Sequence, residues 1–131
     1  MIGELLAEDR LVRFLLEQSG VTEVQVDTLL IHSNYRYRGD PLREMVVARD
    51  GKVVSKGSFG RSLKQGKRRF KMSFYCIILG YYLGLFDLDL VKSMVRICST
   101  VGQLKGLKIG DERVGEVEEL IDKASMRFVG D

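Results

Sequence analysis

The amino-acid sequence predicts a mostly α-helical protein of about six helices, and three observations carry that prediction. Apolar residues recur three and four positions apart along most of the chain, the period of one helix face. Start and stop signals punctuate those stretches, notably a capping pair at Thr22 and Gln25 and terminating glycines at 20 and 84. A β signal of any strength occurs only over 45–54. The chain has 131 residues, 45% of them hydrophobic and only one of them proline, which suits a single domain over 1–131 with one core.

Leu5, Leu6, Leu11, Val12, Leu15 and Leu16 form a helical stripe over 3–19, and Gly20 ends it as a left-handed residue. Thr22 and Gln25 make a capping box, flanked by Val21 and Val26 at the spacing of a hydrophobic staple. A second helix over 23–33 follows, with Val26, Leu29 and Leu30 facing inward. Residues 34–39, Asn-Tyr-Arg-Tyr-Arg-Gly, read as a polar connector. Two readings then compete. Asp40 and Pro41 supply an N-cap and a first-turn proline for a short helix over 41–49, while 45–54 forms a β-hairpin pattern with Asp50-Gly51 as its turn. The helix is preferred by a narrow margin.

From Ser58 one long helix is expected to about Leu83. Phe59, Leu63, Gly66 and Phe70 line one side, continued by Ile77 and Tyr81, while Arg61, Lys64, Arg68 and Lys71 point the opposite way. The stretch 74–83 is apolar nearly all round and is expected to be buried, with Gly84 closing the helix and Leu85 folding back onto Leu79. Asp87 or Asp89 caps a further helix with Leu90, Val91, Met94, Val95, Cys98 and Val101 inside. A glycine-rich loop over 102–110 leads to a last helix from Asp111, whose Val114, Val117, Ile121, Ala124 and Phe128 repeat at alternating spacings of three and four.

Charge is distributed unevenly behind a net of +3. Residues 1–33 carry a net of −4, residues 34–72 a net of +9 from twelve cations and three carboxylates, and residues 73–131 a net of −2. Positive charge so concentrated repels itself unless something offsets it, either the acidic ends of the same chain or a polyanionic partner.

The residue types that carry catalysis are sparse. His32 is the only histidine and reads as a helix-end residue; Asp87 and Asp89 are explained by capping. Glu116, Glu118 and Glu119 read as solvated charge, and Cys76 and Cys98 as small apolar core residues. Residues 57–62 superficially resemble a phosphate loop but lack its spacing. Neither an enzyme nor a metal or cofactor protein is expected, and no small-molecule substrate is evident. Glu4, Glu8 and Asp9 stand where a secretory leader would be basic, and the apolar run 74–86 is short for a bilayer, so a cytoplasmic protein without membrane association is expected.

Residues 54–69 resemble the second half of a helix-turn-helix. The likeness is to the recognition helix of sigma-factor region 4 and related bacterial and archaeal regulators, with Ser55, Gly57, Ser58, Phe59, Arg61, Leu63 and the basic run from Lys64 to Lys71 in the matching places. Tyr82-Leu83-Gly84-Leu85-Phe86 resembles the end of a recognition helix before the wing of winged-helix regulators. The resemblance implies a helix-turn-helix core at about 40–84 in which the 41–49 helix crosses behind.

The expected function is DNA binding, as a transcription regulator acting in the cytoplasm at the nucleoid. Ser58, Arg61, Lys64 and Gln65 are the candidates for base edges, Lys56, Lys67, Arg68 and Lys71 for phosphates, and Arg36 and Arg38 for a flanking grip. A homodimer is expected with DNA as target, because one short helix reads few bases; the last helix, or Gly80 and Gly84, would form the seam. The alternatives are an RNA-binding or ribonucleoprotein-associated protein using Tyr35 and Tyr37 as stacking rings, and a module that docks an acidic protein.

Overall fold

The computed structural model describes residues 2–38, 54–105 and 110–128, with the backbone alone for 2–4, 34–38 and 111. Among them are six α-helices and no strand: α1 (Ile2–Glu8), α2 (Arg10–Ser19), α3 (Glu23–Arg38), α4 (Lys56–Tyr82), α5 (Leu88–Leu104) and α6 (Asp111–Ser125). The all-α class read from the sequence holds. The helix or hairpin expected over 41–54 falls, but for Val54, outside the described residues, and with it the first half of the expected helix-turn-helix. The sequence reading treats 1–131 as one domain; the structure groups into two compact units, Met1–Ser73 and Phe74–Asp131.

In the first unit, the expected helix over 3–19 is two helices. Asp9 leaves the helical region (φ −118°, ψ 103°), and its carboxylate accepts hydrogen bonds from the Leu11 and Val12 amides at 3.0 and 3.2 Å. An aspartate that caps a new helix competes with continuation of the old one. Arg13 reaches back to the exposed end of α1, its Nη1 donating to the Leu6 carbonyl at 2.9 Å. Gly20 ends α2 in the left-handed region (φ 72°), as the sequence implies.

The capping box forms in both directions. The Gln25 amide donates to Thr22 Oγ1 at 3.1 Å, and the Thr22 amide to Gln25 Oε1 at 3.2 Å. α3 runs on to Arg38, so 34–38 is helical where a connector was expected. Its most buried residues are Asp27, Thr28 and Ile31, whereas Val26, Leu29 and Leu30 are half-buried. The buried arc is thus centred about 150° round the helix from the arc that the apolar pattern favours, nearly on its opposite side. Thr28 satisfies its hydroxyl within the helix, donating to the Val24 carbonyl at 2.7 Å.

The second unit holds the last part of α4 together with α5 and α6, which pack on each other. α4 ends as its glycine requires: Gly84 has φ 76°, its amide donates to the Tyr81 carbonyl, and the Leu85 amide donates to the Gly80 carbonyl at 2.9 Å. This pair of bonds is the Schellman arrangement. The ring that lies against the helix end is that of Phe86. It stands so close that a Cβ on Gly80 would fall 2.5 Å from Phe86 Cε1. Phe86 in turn meets Phe128 edge-on, with centroids 4.8 Å apart.

Asp87 caps α5, its Oδ1 accepting from the Leu90 amide at 3.1 Å, and Asp89 falls in the first turn. α5 continues to Leu104, three residues into the expected loop. Its inward row is Leu90, Met94, Ile97, Val101 and Leu104, at spacings of four and three; Val95 and Cys98 lie about 100° round the helix from that row and are exposed, not core. Val114 and Val117 of α6 are buried, with Ile121, Ala124 and Phe128 half-buried on the same stripe.

Candidate nucleic-acid interface

The basic stretch is set in place by the start of α4. Ser55 caps the helix: the Ser58 amide donates to Ser55 Oγ at 3.0 Å, and the Phe59 amide to the Ser55 carbonyl at 3.0 Å. Phe59, one turn in, is fully buried against Ile31 of α3, and Val54 and Leu63 close around the pair. Further along, Gly66 is buried where Leu29 presses on α4. A Cβ at Gly66 would fall 2.9 Å from Leu29 Cδ1, so the missing side chain lets the two helices approach closely. Ile31 against Phe59 and Leu29 against Gly66 fix the two helices as antiparallel neighbours.

That packing decides where the cations go. At about 100° per residue, Arg61, Lys64, Arg68 and Lys71 fall within roughly 80° of one another, on the side away from Phe59 and Gly66. All four are exposed, as are Lys56, Gln65 and Lys67; Ser58 is half-buried. The Arg61 side chain lies back along the helix, its Nη1 near Gly57. Among the described residues none of these six cations forms an ion pair; the exposed pairs Lys123–Glu119 and Arg127–Asp87 lie elsewhere.

The residues picked out from the sequence are therefore only partly brought together. Lys56, Ser58, Arg61, Lys64, Gln65, Lys67, Arg68 and Lys71 share the first sixteen residues of α4. Arg36 and Arg38 fall in the last turn of α3, where only the backbone is described, as it is for Tyr35 and Tyr37. Arg69 has a role that the sequence reading missed. Its Nη2 donates to the Gly20 carbonyl at 2.8 Å, across 49 residues of chain, tying α4 to the end of α2. The signal was rotational: Arg69 lies at least ~80° from the basic arc, toward the side that packs on the rest of the unit.

The last part of α4 departs most from expectation. The stretch 74–83, expected to be buried, is exposed apart from Gly80, and so is Cys76 within it. Phe70, expected on the inward line, is exposed too. No described helix is long and apolar enough to cross a membrane. No protein-family model, curated protein or solved structure matches the chain.

Proposed function

We propose that this protein binds duplex DNA through the first half of α4, as a transcription regulator of the helix-turn-helix type. One observation carries the reading: seven cations lie from Lys56 to Lys71, no carboxylate occurs from 51 to 86, and four of the seven, Arg61, Lys64, Arg68 and Lys71, form an exposed arc without ion pairs among the described residues. Such a face is a poor place to leave positive charge. The helix macrodipole adds a further partial positive charge at its start, where carboxylates are normally favoured and none is present. A phosphate backbone supplies the missing counter-charge at a matching density.

The order of side chains along the helix suggests a division of labour. Arg61, Lys64 and Gln65 are near the start and exposed, which suits contact with base edges in a major groove; Ser58 contributes less because it is half-buried. Lys56, Lys67, Arg68 and Lys71 suit phosphates, with Arg36 and Arg38 as the flanking grip.

The test is fluorescence anisotropy of a labelled duplex titrated at several salt concentrations. The slope of log K against log salt is expected to be about −0.9 for each phosphate contacted, and Arg68→Ala should remove about one such unit on every sequence alike. Arg61→Ala should instead weaken a preferred site by about 1–3 kcal/mol and relax its sequence preference. Absence of duplex binding at low salt ends the DNA reading, and tighter binding to single-stranded RNA replaces it with the RNA one.

A further inference from the structure

Phe74, Tyr75, Ile78, Leu79, Tyr82 and Leu83 are each more than half exposed, and no charged residue occurs from 72 to 86. At about 100° per residue these six positions span roughly 180° of the helix surface, and Ile77 and Tyr81, also exposed, widen the arc to about 240°. With large side chains of about 150–250 Å² each, the six leave roughly 600 Å² of apolar surface in water. That reaches the upper end of the largest apolar patch on an ordinary monomer, about 300–600 Å².

We infer that this stretch of α4 is the seam of a homodimer, covered in solution by a second copy of the chain. Two copies covering each other would bury roughly 1,200 Å² from these residues alone, which enters the range of specific interfaces, about 1,200–2,000 Å². The composition is that of an interface centre, rich in aromatic residues and without charge. A patch with no charge offers nothing by which a differently charged partner would be selected, whereas an identical copy brings the same apolar surface. A bilayer surface fits less well. It touches a helix from one side, and helices that lie in it carry a strongly charged opposite face, which 72–86 lacks.

The same unit also offers a receptor for a projecting ring. A wide, open pocket of about 910 Å³ lies beside Tyr82, lined by Ile78, Tyr81, Phe86 and Leu88 and, at its edge, by the Asp87–Arg127 ion pair. In a two-fold pair each copy gives a ring and receives one, the self-complementarity such symmetry demands. The seams expected from the sequence are already used within the chain. Val114 and Val117 of α6 are buried, Gly80 is filled by Phe86, and Gly84 serves the helix end.

This inference is independent of the nucleic-acid reading, and nuclease-treated protein tests it alone. Sedimentation equilibrium of the full chain at micromolar concentration should give twice the chain mass. The double variant Tyr75→Glu, Tyr82→Glu should give the single mass with unchanged far-ultraviolet circular dichroism, since both rings are exposed. If two glutamates disturb the helix, Tyr82→Ser decides instead: at least a tenfold weaker dimer is expected, and an unchanged dissociation constant overturns the seam. A wild-type chain that stays monomeric overturns it as well, and if that monomer pellets with phosphatidylserine vesicles the face belongs to a bilayer. A double variant that remains a folded dimer places the seam elsewhere.

Discussion

Each half of α4 presents an exposed face, and each face lacks something different. The first half presents cations without carboxylates, and the second presents rings and branched chains without an apolar cover. Water treats the two cases unequally. Exposed charge is well solvated and costs little until it is crowded, whereas each large apolar side chain left in water forgoes about 2 kcal/mol. Solvation alone therefore suffices for the basic half. The apolar half has a standing drive to be covered. The halves are also held differently. The first is anchored by Phe59 on Ile31 and by Gly66 under Leu29, the second by the Phe86 ring over Gly80.

The largest effect should come from breaking the first anchor. Phe59→Ala removes the most buried ring of the first unit and should cost about 3–5 kcal/mol. If the two halves are held independently, urea unfolding should show the early loss while sedimentation still reports self-association. Loss of both together would mean that α4 transmits the damage along its length. Gly84→Ala tests the other end. It forces a Cβ into the left-handed region, at a cost of about 1–2 kcal/mol, and should lower the melting temperature without altering the salt slope of binding.

Smaller effects sharpen the contrast. Thr22→Ala removes one arm of the capping box and should cost about 1 kcal/mol, read as a lower urea midpoint with DNA affinity unchanged. Arg68→Ala should be the most nearly silent in stability, within about 0.5 kcal/mol, while still flattening the salt slope. A large loss of stability from Arg68→Ala would mean that the basic arc holds the fold together and does not wait for a partner.

What the sequence made legible was whatever is settled locally. Gly20 and Gly84 adopt the left-handed conformation that few other residues accept, Thr22 and Gln25 bond each other, and Asp87 caps α5. These features depend on neighbours a few positions away. The break at Asp9 escaped because the leucine stripe runs through it undisturbed, and apolar periodicity does not register one side chain competing for two amides. The extension of α3 to Arg38 escaped because outer turns of a helix need no apolar residues.

The candidate interface was legible to the same extent. The outward direction of Arg61, Lys64, Arg68 and Lys71 follows from the inward direction of Phe59 and Gly66. Arg69 could be counted as a cation, but its tie to Gly20 depends on two helices meeting, which spacing cannot supply. The exposure of 74–83, Cys76 included, has the same origin. Hydrophobicity states how strongly a segment favours cover, and the identity of the covering surface is tertiary or quaternary information.

The Arg69 tie also bears on the entropy of association. A long side chain on a free helix surrenders about 2 kcal/mol of rotamer freedom when a ligand immobilises it. Arg69 has already made that surrender in the unbound protein, on the Gly20 carbonyl, and in doing so it braces the middle of α4 against the end of α2. The cations on either side of it, Arg68 and Lys71, thus project from a stretch of backbone that this hydrogen bond helps to position. A polyanion meeting this face has side-chain tips left to order, but no helix, so less of the attraction is consumed in arranging the receptor.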